Sequence, residues 1–69
     1  QDATEAALWY TKAAEQGYAD AQVNLGLMYE EGRGVAQDYD EAARLFRAAA
    51  EQGNPLAQMN IGNMSLRRK

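Results

Sequence analysis

A chain of 69 residues holds one small domain at most, and a core of that size supplies on the order of 3–5 kcal/mol of net stability. It contains no Cys and no His, which removes disulfides, thiolate metal sites, the commonest general base and the commonest transition-metal ligand, and with them every Ser–His–Asp or Cys–His catalytic arrangement. The formal net charge of −3 argues against nucleic acid as a partner.

The first helix is predicted from Ala3 to Gln16, where Ala6, Trp9, Tyr10, Ala13 and Ala14 recur at helical spacing. Asp2 stands as its N-cap with Glu5 three positions on, and Gly17 follows as a residue that takes positive φ cheaply. A turn of about two residues leads into a second helix from Ala19 to Glu31, so short that the two helices must lie antiparallel. Its apolar stripe is Ala21, Leu25, Met28 and Tyr29. Gly32-Arg33-Gly34-Val35 then breaks the helix; the Gly-x-Gly pair lacks the third glycine and the preceding strand of a phosphate loop and reads as a structural turn.

The third helix is predicted from Tyr39 to Gln52, N-capped by Asp38, carrying Ala42, Leu45, Phe46, Ala49 and Ala50, and closed by Gly53. Asp38, Asp40 and Glu41 lack the glycine and the last glutamate of a calcium loop, and suit the positive end of a helix dipole. Asn54-Pro55 reads as N-cap and first position of a fourth helix that runs to Leu66. Small residues at Ala13, Ala14, Ala21 and Gly26 let helices approach closely, with Trp9, Tyr10 and Leu25 expected to fill the space between them. Met28 and Met64 read as core fill. Glu30 and Glu31 point some 100° apart, so they do not converge on one substrate atom. Arg67, Arg68 and Lys69 complement a helix C-terminus and fall below a polybasic cluster.

Displaced by 36 residues, the chain aligns with itself. Ala13-Ala14-Glu15-Gln16-Gly17 falls on Ala49-Ala50-Glu51-Gln52-Gly53, Ala21-Gln22 on Ala57-Gln58, Asn24 on Asn60, Gly26 on Gly62 and Met28 on Met64. Of 33 pairs, 15 are identical, against roughly two from ordinary residue usage. A period in this range marks solenoid repeats. The expected fold is all-α: two helix–turn–helix repeats, about residues 1–36 and 37–69, in one unit covering 1–69, with four antiparallel helices forming a short α-solenoid segment. Residues 1–35 carry six acidic and two basic side chains; residues 36–69 carry four acidic and five basic ones.

Glu5-Ala6-Ala7, Trp9-Tyr10, Lys12-Ala13-Ala14-Glu15-Gln16-Gly17, Ala19-Asp20-Ala21-Gln22, Asn24-Leu25-Gly26, Tyr29, Gly32, Gly34-Val35 and Gln37-Asp38-Tyr39 together resemble the Sel1-like repeat family, a cousin of the tetratricopeptide repeats. The resemblance implies a right-handed α-superhelix acting as an adaptor in bacterial envelope, signalling, virulence or protein-quality-control assemblies. It implies a protein or peptide partner, while composition leaves no cofactor, catalytic or metal site, the net charge argues against nucleic acid, and the short basic tail and lack of a long apolar run argue against a membrane. Two alternatives stand beside it. One is a structural or self-assembling terminal fragment, homo-oligomeric through end-to-end stacking or helix exchange. The other, remote, is a hydrolase on cell-wall or β-lactam substrates, for which the chain offers no nucleophile in context; Ser65 lies in the last helix. The compartment stays open between bacterial cytoplasm and periplasm or secretion.

In tetratricopeptide-like solenoids one helix of each pair lines the concave surface, and the pattern of Leu25, Gly26 and Tyr29 resembles that helix. With Gln22, Leu25, Gly26 and Tyr29 engaged in packing, the implied partner-binding residues are Asp20, Val23, Leu27, Glu30 and Glu31, and in the second copy Leu56, Met59, Asn63, Leu66 and Arg67. The second copy departs from the pattern: Ser65 replaces the equivalent of Tyr29, and Arg68 stands where Gly32 would be. With a start at Gln1 rather than Met, these departures suggest the C-terminal end of an array, or a cut through one.

Overall fold

A computed structural model describes residues 2–67 of the chain. Four α-helices follow one another: α1 (Ala3–Glu15), α2 (Ala19–Glu31), α3 (Tyr39–Glu51) and α4 (Pro55–Arg67), with no strand among the described residues. The predicted limits hold to within a residue. α1 and α3 stop one residue early because Gln16 and Gln52 serve as C-caps, their amides donating to the Ala13 and Ala49 carbonyls while the Gly17 and Gly53 amides donate to those of Ala14 and Ala50. Gly17 and Gly53 follow at φ 92° and 88°. The side chain of Asp2 accepts from the Thr4 amide at 3.2 Å, Asp38 from that of Glu41 at 3.1 Å, and Asn54 from that of Ala57 at 3.1 Å. Three of the four helices thus have a side-chain N-cap that satisfies an otherwise orphaned donor. At α2 the N-cap is Tyr18, which makes no such bond.

Packing is organised around α2. It lies between α1 and α3, and its contact with α3, across the repeat boundary, is more extensive than its contact with α1. Ala21, Gln22, Val23, Leu25, Gly26, Met28 and Glu30 are all buried, leaving little of the helix to solvent. One core cluster gathers Val23, Ala42, Phe46, Ala49, Ala57 and Met64; a second gathers Ala14, Ala21, Leu25 and Leu45, with Tyr10, Ala13 and Tyr29 packed on it. Phe46 is the one large side chain with no exposed surface among the described residues. Its ring sits on Gly26, where a Cβ would come within 2.6 Å of Cε1. A small residue at position 26 therefore sets the distance between α2 and α3.

Polar contacts tie the same boundary. Gln52 Nε2 donates to the Gly17 carbonyl at 2.9 Å and to Gln22 Oε1 at 3.2 Å, and Asn54 Nδ2 donates to Asp20 Oδ1 at 3.3 Å. The connection from α2 to α3 is held by Gln37 Nε2 donating to the Glu30 carbonyl and by the Asp38 amide donating to the Tyr29 carbonyl, both at 2.9 Å. Gly32 ends α2 in the left-handed region, and Gly34, at φ 75°, lies directly against the Ala3 carbonyl at the start of α1.

Met28 and Met64 are buried as expected, whereas Trp9 corrects the sequence reading. Its helical spacing suggested a core position, but it is 74 % exposed, while its repeat counterpart Leu45 is 4 % exposed. Leu45 reaches back onto Ala14, Ala21 and Leu25 of the first repeat. Trp9 occupies the same register on a helix with no earlier repeat before it in the described residues.

Candidate interaction surface

The structure divides the ten residues expected on a concave face. Val23 and Glu30 do not reach a surface: both are 5 % exposed, Val23 within the cluster that α3 forms with α2. Leu27 is half-buried, packed against the Phe46 cluster. Asp20 and Glu31 are exposed near opposite ends of α2; Asp20 holds Asn54, and Glu31 pairs with Arg33 at 3.6 Å. Leu56, Met59, Asn63 and Leu66 are exposed along α4. The side chain of Arg67, and Arg68 and Lys69 of the basic tail, lie outside the described residues.

A single physical difference separates the two halves of this set. Met59 stands 36 positions after Val23, on the equivalent side of its helix, yet it is 59 % exposed. Gly26 is closed over by the Phe46 ring, whereas a Cβ on Gly62 would meet nothing within 4 Å. Gln22 is buried under Gln52, while Gln58 is exposed. The side of α4 that repeats the α3-covered side of α2 is therefore bare. An apolar strip of Leu56, Met59 and Leu66 beside a glycine notch is suited to receiving another helix.

A second concavity was not legible in the sequence. α1 and α3 flank a shallow groove of about 300 Å³ floored by α2, with Thr11, Glu15, Gln22, Tyr29, Glu41 and Arg44 around it. Glu41 grips Arg44 through two contacts, one of them Nε to Oε1 at 3.0 Å. That hydrogen bond, with the charge of Glu41, raises the guanidinium above its ordinary value, and the pair is exposed enough that it adds little to stability. The i, i+4 spacing of Thr11 and Glu15 would have placed them on one face. That α3 brings Glu41 and Arg44 opposite them is a tertiary fact. Among the described residues no group of three or more His, Cys, Asp or Glu side chains could hold a metal ion, and no helix is long and apolar enough to cross a membrane.

Comparison with known proteins gives a consistent picture. The family model described as Sel1 repeat matches residues 1–18 and 19–54. A crystal structure of a Sel1 repeat protein from Oxalobacter formigenes superposes with a TM-score of 0.89 at 47 % identity, over 96 % of this chain and 27 % of that one. A protective antigen present in uropathogenic Escherichia coli strains, displaying an SLR fold, also superposes at 0.89, with 49 % identity over 91 % of this chain and 14 % of its own. The chain thus spans well under a third of either solved protein's length. No curated protein matches it significantly.

Proposed function

Because the chain belongs to the Sel1 repeat family, we propose that it is a protein-interaction scaffold that holds a helical segment of a partner protein on the exposed side of α4. The observation that carries this reading is the contrast between Val23, covered by α3, and Met59, bare at the same register. Leu56, Met59 and Leu66 supply the apolar contact, and Asn63 and Gly62 lie between them. Asp20 and Glu31 contribute exposed carboxylates from α2, whereas Leu27 is half-buried against the Phe46 cluster. Burying a strip of this kind removes several large side chains from water at about 25 cal/mol per Å² of apolar surface. We assign no catalytic residue. Glu30 is buried while Glu31 is exposed, so the adjacent carboxylates share no open site.

The test uses the helix that already covers this surface once. A helix-stapled peptide of the α3 sequence, residues 38–52, is titrated into the isotope-labelled chain while amide shifts are followed. The expected result is a saturable set of shifts at Met59, Gly62 and Leu66, reduced at least tenfold in apparent affinity by Met59→Asp with the helical circular dichroism unchanged. Shifts confined to other helices, or none at saturating peptide, would remove α4 as the binding surface. Val23→Asp is unsuitable as a probe, since a carboxylate placed in the Phe46 cluster is expected to unfold the protein.

A further inference from the structure

We draw no further inference here: the strongest candidate, the shallow groove between α1 and α3 that α2 floors, has its Arg44 already held by Glu41, and nothing in the structure shows what covers it.

Discussion

Phe46→Ala is expected to leave the chain largely unfolded at 25 °C. Phe46 has no exposed surface and shares its cluster with residues of α2, α3 and α4, so its ring is common packing for three of the four helices. Truncating a buried Phe to Ala costs about 3–5 kcal/mol, the lost transfer energy plus the cavity left behind. A single-core domain of this length commands roughly that amount in total. Partial collapse of the site is hindered because Gly26 opposite contributes no side chain to fill it. Far-UV circular dichroism should show most of the helical signal lost without denaturant. A cooperative urea transition near that of the unsubstituted chain would show that the cross-repeat cluster is not what holds the fold. The equivalent change Tyr10→Ala should cost much less, because Tyr10 is only half-buried at the outer helix.

The second large effect is expected at the inter-repeat turn. Gly34→Ala should destabilise by about 2 kcal/mol or more, read as a fall in the urea midpoint at unchanged slope. Two costs combine. At φ 75° an L-side chain pays about 1–2 kcal/mol. In addition, the new Cβ would stand 2.3 Å from the Ala3 carbonyl oxygen and 2.6 Å from its carbon. Both are backbone atoms that no rotamer change can move aside, and they sit one residue after the Asp2 cap of α1. Gly17→Ala and Gly53→Ala separate the two costs, since both glycines have positive φ but open space around them. Those variants should lose only the backbone share. Three equal losses would show that the turn does not press on α1.

Much of the fold is legible in the sequence because its punctuation is local chemistry. Asp2, Asp38 and Asn54 cap helices through bonds that span two or three residues, and Gly17 and Gly53 supply positive φ at the next stop. The 36-residue self-alignment carries the architecture, since identical registers fold alike. Burial is less legible. Helical periodicity marks a side of Trp9 and of Leu45 as apolar, but which of them is covered depends on whether a helix lies on that side, and among the described residues only Leu45 has one. The same reason places Val23 inside and Met59 outside. Glu30 is the harder case: a carboxylate at a helix end reads as solvated, yet it is 5 % exposed, next to the turn where Gln37 donates to its backbone carbonyl. Of the residues expected at a surface on α2, Val23 and Glu30 are therefore buried, while Leu56, Met59, Asn63 and Leu66 on α4 are exposed, with no helix of the described residues over them.

That difference between two equivalent faces is the centre of the account, and one pair of substitutions measures it. Gly26→Ala and Gly62→Ala are compared by urea denaturation at a concentration low enough to keep the chain monomeric. Both gain about 1 kcal/mol of helix propensity, so the gap between them reports only what each Cβ meets. At Gly26 it meets the Phe46 ring at 2.6 Å, and at Gly62 it meets nothing within 4 Å. Gly62→Ala should be as stable as the original chain or more so, with Gly26→Ala below it by about 1–3 kcal/mol, the usual cost of overpacking a core. Equal stabilities, or a larger loss at Gly62, would contradict the claim that α3 covers the face on α2 and that its copy on α4 is open.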